Sequence, residues 1–391
     1  MKNIEEIKVK DNSKNIIISI ILLICFVGII TLTIFYTQNL EFMNWVDKYI
    51  FRKIVAEEDT YEIMINTDNN PSIYAYSNYI TVLEGNELTT YNHTAKEEYK
   101  LNVNVSDPIY TSAGEYLAIA DLYKQKVYLI SGKNIIWDTE IEGNISEIYV
   151  NKDGYVVIVI VNTSYKTVVA LYDPNGKELF KKYLAVSNVI DVQISQDSKC
   201  LAIAQIDTSG IIIQSKVEII SIEKAQKNSK EAILYTHNSN QGDVILSIKY
   251  NNKNYLTCMY DNSIYMIKNN NNEEKIIELD TKKDIYASVK LKNCIFKIQE
   301  EYTDEYENIS KITMKSIINK KEHTYLIDSI IKDVITYEDI VGINIGAEAY
   351  FLNTSGNLIK KYISNREIQN IVLTDYIAGI VYRDSIKIIS F

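Results

Sequence analysis

The sequence has 391 residues, of which 47% are hydrophobic and 24% charged, and its formal net charge is −10. This apolar content excludes a disordered or collagen-like chain, and 3 Pro and 13 Gly argue against long linkers. Three His and four Cys, with no CxxC or HxxxH spacing, argue against a zinc, haem or iron–sulfur cofactor, and the net acidity argues against binding nucleic acid.

A long uncharged segment lies near the N-terminus. Residues 15–40 carry no charged side chain, and the segment exceeds the roughly 20 residues that a helix needs to cross a bilayer. No small residues follow in the spacing of a cleavage site, so we predict an uncleaved transmembrane helix over 15–40. A short, lysine-containing tail before one span and a large domain is typical of a signal anchor. We therefore expect a single-pass protein of the cell membrane, with residues 1–14 cytoplasmic and the C-terminal domain extracellular.

An amphipathic segment follows, over 41–58. Its apolar residues recur at helical spacing with polar residues between them: Phe42, Trp45, Val46, Tyr49, Ile50 and Ile54. Trp45 and Tyr49 suit the headgroup region, which favours a juxtamembrane helix at the membrane surface. A stalk that prolongs the spanning helix accounts for the same spacing, and both interpretations stay open.

The remaining sequence, 59–391, is repetitive. Segments with a strand, turn, strand pattern align without gaps at 108–121, 147–160, 191–204 and 247–260, and fainter copies follow at 288–300 and 333–346. A second strand pair follows four of them, at 126–141, 168–184, 263–279 and 349–363. Four strands recurring every 39–56 residues are the pattern of a propeller blade, so we predict an all-β, WD40-like β-propeller.

The repeats give a blade count. Seven units fit between 71 and 365, and three further strands remain at 366–391. The segment 61–66 is a spare strand that can complete an eighth blade, so that both termini close the ring and hide two sheet edges. We favour eight blades, with seven as the alternative.

One column of the repeat carries acids. Glu147, Asp191 and Asp333 begin their inner strands, and Asp107 stands one place before the equivalent Pro108. Because the innermost strands of a propeller line its channel, these four are candidate partner-binding residues at a channel mouth, where they could attract a cation or a Lys/Arg-bearing partner. The alternative is that they cap strand ends and face water.

The Cys and His residues offer no catalytic or metal-binding pattern. Cys200, Cys258 and Cys294 occupy places of small buried hydrophobic residues. The three histidines fall in separate blades, and we expect them to be exposed.

The segment 130–204, with ISGKNIIWDTEIEGNISEIYVNKDGYVVIVI and DVQISQDSKCLAIA, resembles a domain-of-unknown-function family of single-pass, membrane-anchored β-propeller proteins from low-GC Gram-positive bacteria. The resemblance implies a location and an architecture, and it carries no active-site residues.

The function expected from these features is binding and not catalysis. A membrane-anchored extracytoplasmic propeller would act as a scaffold for an unidentified protein or cell-envelope ligand. The alternative is a propeller-based enzyme or cofactor domain that uses the channel-mouth carboxylates, because fold alone does not decide function.

Overall fold

The computed structural model describes residues 13–38, 42, 45–47, 50, 51, 53–228, 231–280, 282–302 and 308–391. The chain divides into two compact units, Met1–Val55 and Ala56–Phe391. The predicted cytoplasmic tail, 1–14, lies outside the described residues except for its last two.

The first unit contains helix α1, Ser13–Gln38. The described large apolar side chains of this helix, from Ile18 to Phe35, are all exposed. After it, Asp47 accepts a hydrogen bond of 2.6 Å from the Tyr36 hydroxyl and pairs with Lys53 at 3.1 Å. Within the described residues, none of the helices combines the length and the apolar character that crossing a membrane requires.

The predicted amphipathic helix over 41–58 is only partly described. Phe42 and the residues 45–47 are helical, whereas strand β1, Ile54–Ala56, and a 3-10 turn, Glu57–Asp59, occupy the end of the segment. The helical pattern therefore does not continue to residue 58, because the chain becomes extended before the second unit begins.

The second unit is an eight-bladed β-propeller, as the repeats predicted. Each blade is built on four antiparallel strands, here named A to D from the channel outward. The strands of blade 1 are β3 Ser72–Tyr76, β4 Tyr79–Glu84, β5 Glu87–Tyr91 and β6 Glu97–Asn102. Those of blade 2 are β7 Pro108–Ala113, β8 Tyr116–Asp121, β9 Lys126–Ser131 and β10 Asn134–Glu140. Those of blade 3 are β11 Asn144–Val150, β12 Val156–Val161, β13 Thr167–Tyr172 and β14 Glu178–Leu184.

The next three blades contain longer strands and one short helix. The strands of blade 4 are β15 Ser187–Ile194, β16 Cys200–Asp207, β17 Gln214–Ser221 and β18 Ile233–Asn238. Those of blade 5 are β19 Ile245–Asn252, β20 Tyr255–Tyr260, β21 Ser263–Lys268 and β22 Asn272–Glu278. Those of blade 6 are β23 Asp284–Ser288, β24 Cys294–Tyr302, β25 Asn308–Ser316 and β26 Glu322–Ile327. Helix α2, Ile222–Lys227, lies between β17 and β18.

The last two blades close the ring. The strands of blade 7 are β27 Asp333–Tyr337, β28 Ile340–Asn344, β29 Glu348–Asn353 and β30 Leu358–Ile363. Those of blade 8 are β31 Asn370–Leu373, β32 Ile377–Val381, β33 Ser385–Ser390 and, from the start of the unit, β2 Tyr61–Met64. Strand β2 pairs with β33 so that Tyr61 lies opposite Ile388 and Ile63 opposite Ile386. This confirms the predicted closure by both ends of the domain.

The core lies between neighbouring blades. All but the last residue of β12 are buried, and they alternate between two hydrophobic clusters: Ile158 packs towards blade 2 and Val157 towards blade 4. The outermost strand β10 instead alternates exposed and partly buried residues. A strand buried on both faces requires the continuous apolar run seen in the sequence, because each sheet is covered on both sides.

The connections form two opposite faces of the ring. The A–B and C–D turns lie on one face, called here the A–B face, and the B–C turns and the connections between blades lie on the other, called the B–C face. In the A–B turn of blade 3, Gly154 has φ +81°, and a Cβ there would lie 2.8 Å from the Tyr116 ring of blade 2. Glycine therefore permits this turn to pack closely on the neighbouring blade.

Candidate functional site: the central channel

The inner strands of blades 2 to 5 and 7, together with the A–B loop of blade 6, border a cavity of about 440 Å³. Its lining includes three carboxylates, two lysines and an amide: Glu147, Asp191, Glu338, Lys249, Lys290 and Gln193. They come from five different blades, so only the closed ring brings them together. We refer to this space as the channel cavity.

Asp191 is the fixed carboxylate of the channel cavity. It is 6% exposed, and its Oδ2 atom accepts a hydrogen bond of 2.8 Å from the backbone N–H of Ile248. The same oxygen pairs with Lys290, whose Nζ also donates to the Ile248 carbonyl at 3.3 Å. A buried carboxylate held by an ammonium and a backbone N–H is compensated, so Asp191 ties blades 4, 5 and 6 together.

Glu147 is the free carboxylate. Its side chain has no hydrogen bond or ion pair among the described residues. Burial, followed by the nearby Asp191 carboxylate, raises the pKa of Glu147 to about 7, and Lys290 opposes this only in part. A carboxyl group without a partner in a low-dielectric space favours its neutral form, which explains the direction of the shift.

A second ion pair lies towards the A–B face. Lys249 Nζ is 3.0 Å from Glu338 Oε1, and Glu338 occupies the two-residue A–B turn of blade 7 with φ +41°. Burial and the acids Glu338 and Asp339 raise the pKa of Asp375, in the next turn, to about 6. This end of the channel therefore holds three acids, Glu338, Asp339 and Asp375, and two lysines, Lys249 and Lys292.

Gln193 contributes an uncharged polar group to the channel cavity. It lines the channel cavity and is 4% exposed, and its side-chain amide has no hydrogen-bond partner among the described residues. Its amide atoms are not among the fully buried atoms that lack a partner, so solvent in the cavity can reach them. The cavity thus presents an acceptor carboxylate and a free amide to whatever enters it.

The four predicted residues separate into two pairs. Glu147 and Asp191 line the channel cavity together, whereas Asp107 and Asp333 are exposed and are not among its lining residues. Asp107 directly precedes β7, as expected, but the expectation that Glu147 and Asp191 begin their strands is wrong. Both are interior residues, of β11 and β15, and each follows a β-bulge. Asp333 is the first residue of β27, which pairs without a bulge. Bulges re-aim side chains, and an ungapped alignment does not detect them.

The residues that the sequence analysis missed share a neighbouring column. The third position of each aligned repeat lines the channel cavity in blades 2 to 6, and it holds Tyr110, Tyr149, Gln193, Lys249 and Lys290. Their residue types differ, so a search for one repeated chemistry passes over them. The polar side chains at this third position were the feature of the sequence that could have indicated the channel lining.

The predictions on Cys and His are partly corrected. Cys200, Cys258 and Cys294 are buried, as expected. His93 and His323 are exposed, but His237 is 3% exposed and contacts Glu273. Its ring meets Tyr260 edge-on and Tyr265 at a tilt. Among the described residues, no three His, Cys, Asp or Glu side chains are grouped closely enough to hold a metal ion.

Two solved structures with TM-scores above 0.5 support the fold. The C-terminal WD40 domain of Sif2 is similar, with a TM-score of 0.57 and 10% identity over 85% of this chain and 99% of that chain. Sqt1 from Chaetomium thermophilum is similar with a TM-score of 0.51 and 8% identity over 82% and 96% of the two chains. BamB from Moraxella catarrhalis has a TM-score of 0.48 and 11% identity over 84% and 96%.

Comparison by sequence gives the family. No curated protein matches this chain. The model of a family of unknown function, DUF5711, matches residues 53–391, which include the whole propeller. The chain therefore belongs to the DUF5711 family of unknown function.

Proposed function

We propose that this chain is a membrane-anchored, extracytoplasmic β-propeller that binds a protein or cell-envelope ligand and does not catalyse a reaction. The observation that carries the proposal is the free Glu147 carboxyl group in the channel cavity. An ammonium or guanidinium group can donate hydrogen bonds both to this carboxylate and to the amide oxygen of Gln193. The ligand is therefore expected to insert a lysine or arginine side chain.

The proposed anchor is supported by the uncharged segment 15–40 and by the exposed apolar side chains of α1. Apolar surface of this extent is unfavourable in water, and a bilayer would cover it. The lysines before the segment favour a cytoplasmic N-terminus, which would place the propeller outside the cell.

Photo-crosslinking in intact cells tests the binding function. A benzophenone amino acid at Thr336, which lines the channel cavity, should capture a ligand in the full chain. A short peptide with a single lysine should compete with capture, and the same peptide with norleucine should not. Glu147→Gln should reduce capture about tenfold or more, because it leaves the inserted cation without its counter-charge.

Asp333→Asn is the matched control, since it also removes one acid but outside the channel cavity. We expect it to leave capture unchanged. Equal capture by the wild-type and Glu147→Gln chains, or equal competition by the two peptides, would contradict cation recognition in the channel.

The raised pKa of Glu147 favours a second candidate, an enzyme that uses this carboxyl group as a general acid or base. The two functions differ in what happens to the ligand. Recovery of the captured ligand with unchanged mass supports binding. A cleaved or modified ligand that disappears with Glu147→Gln supports catalysis.

A further inference from the structure

The B–C hairpin of blade 4 carries an exposed apolar tip. Its strands β16 and β17 have eight residues each, against five or six in the corresponding strands of blades 1 to 3. The turn between them contains three consecutive isoleucines, of which Ile211 is 105% exposed, Ile212 43% and Ile213 39%. Consecutive large apolar side chains at a turn are unusual, because water contact with them is unfavourable.

The tip is uncharged and its base is held in place. Residues 208–215 contain no charged side chain. Asp207 accepts hydrogen bonds from the Ser209 N–H at 2.9 Å and from its hydroxyl at 2.7 Å. The tip could therefore enter an apolar phase without moving a charged group out of water, which is the costly step for most turns.

Further apolar and aromatic side chains are exposed on the B–C face of blade 4 and its neighbours. Val186 is 50% exposed in the connection before blade 4, and Leu246 is 45% exposed at the start of blade 5. In blade 3, Tyr165 of the B–C turn and Tyr183 near the end of β14 contact each other at a tilt, with ring centroids 4.8 Å apart, and both are exposed. Tyrosine is typical of the headgroup level, and isoleucine of the layer beneath it.

Two observations favour a lipid bilayer as the occupant over a protein. The isoleucines follow one another around a turn and project from it, so they offer no flat face for a protein interface. The chain also has a second exposed apolar surface, on α1, which a bilayer would cover. The net charge of −10 indicates that insertion would depend on apolar contact and not on anionic lipid.

We propose that Ile211, Ile212 and Ile213 insert into the outer layer of a lipid bilayer and so hold the B–C face of the propeller against the membrane. This inference rests on the proposed membrane anchor, which brings the tip to a high effective concentration near lipid.

The test uses the full chain with Cys25→Ser, reconstituted in phosphatidylcholine nanodiscs. A polarity-sensitive fluorophore is attached to Ile211→Cys, or to Lys133→Cys in a turn of the A–B face. We expect a blue-shifted emission and quenching by spin-labelled lipid at position 211, and neither at position 133. Adding Ile212→Ser and Ile213→Ser to the 211 variant should lower its quenching at least tenfold, whereas Ile318→Ser, an exposed isoleucine on the A–B face, should not.

Equal quenching at positions 211 and 133, or none at position 211, would overturn the inference. A blue shift at position 211 that needs a cell extract, and not lipid, would also overturn it and indicate a protein partner. Resistance of the chain to carbonate extraction from membranes measures the anchor independently of the tip. If the chain is extracted by carbonate but position 211 is still quenched on vesicles, the proposed anchor is refuted and the insertion of the tip is not.

Discussion

The carboxyl group of Glu147 has a raised pKa because of where its side chain lies and not because of its local sequence. Burial and Asp191 favour its neutral form, and the Lys290 ammonium that could compensate it is already paired with Asp191. The protonation state of Glu147 therefore changes near pH 7.

Glu147→Gln should make the protein more stable above pH 7. The pKa of Glu147 is raised from 4.5 to about 7, so between these pH values the folded state binds a proton that the unfolded state has lost. Stability should then fall as the pH rises through this window and stay low above it. The substitution should remove this slope and increase the free energy of unfolding by about 1–3 kcal/mol at pH 8. Denaturant titrations between pH 4.5 and 8 measure the free energy of unfolding of the wild-type and Glu147→Gln proteins.

Asp333→Asn provides the comparison, because Asp333 is exposed. An identical pH profile for wild type and Glu147→Gln would show that Glu147 is ionised at little cost and that the channel cavity is more solvated than its geometry indicates.

At the scale of strands, the closure of blade 8 depends on a polar clamp as well as on the β2–β33 pairing. Arg366, in the connection between blades 7 and 8, donates to Glu57 at 2.8 Å, pairs with Glu62 of β2 at 3.1 Å and donates to Ser385 of β33 at 3.2 Å. Its guanidinium also lies 4.0 Å from the centre of the Tyr382 ring. One planar group thus joins the first and last strands of the domain, a role for which arginine is better suited than lysine.

Arg366→Gln should weaken this closure. Loss of several charge-assisted bonds at a partly exposed site should lower the free energy of unfolding by on the order of 1–2 kcal/mol. Thermal unfolding measures the loss. Arg383→Gln, an exposed arginine in the neighbouring turn, should change it by less than about 0.5 kcal/mol. Equal melting temperatures for the two variants would show that strand pairing alone closes the ring.

Much of the strand order could be predicted because each blade repeats its turns. The blade limits and the closing strand follow from apolar runs and turn residues that are local in sequence. The Arg366 clamp and the burial of His237 could not be predicted, since each depends on partners from other parts of the fold. His237 contacts Glu273 from the next blade, and nothing near it in sequence indicates that neighbour.

At the scale of the whole molecule, the channel cavity exists only when the ring is complete. Asp191 and Lys290 meet although they are 99 residues apart in sequence, and Lys249 and Glu338 meet across 89. Of the four acids predicted from the sequence, Glu147 and Asp191 line the channel cavity, whereas Asp333 stands at the same repeat position and does not, because β27 lacks the bulge found in β11 and β15. The sequence could not identify the lysines, because their partners are fixed by the curvature of the ring.

The expected topology places the propeller outside the cell. In a Cys25→Ser background, Lys177→Cys in an exposed turn should react with a membrane-impermeant maleimide in intact cells, since the remaining cysteines are buried. Asn3→Cys, before the apolar segment, should react only after lysis. The reverse pattern would place the propeller in the cytoplasm.

The pairing of Tyr61 with Ile388 also constrains how the protein is made. Strand β2 is among the first parts of the propeller to be synthesised, and its partner is among the last. At about 5–20 residues per second, roughly 15–60 s separate them on the ribosome. During that time β2 is an unpaired edge, a surface on which strands of other chains can add. Closure of blade 8 must therefore wait until β33 has been synthesised, and the edge of β2 stays open to pairing with other chains until then.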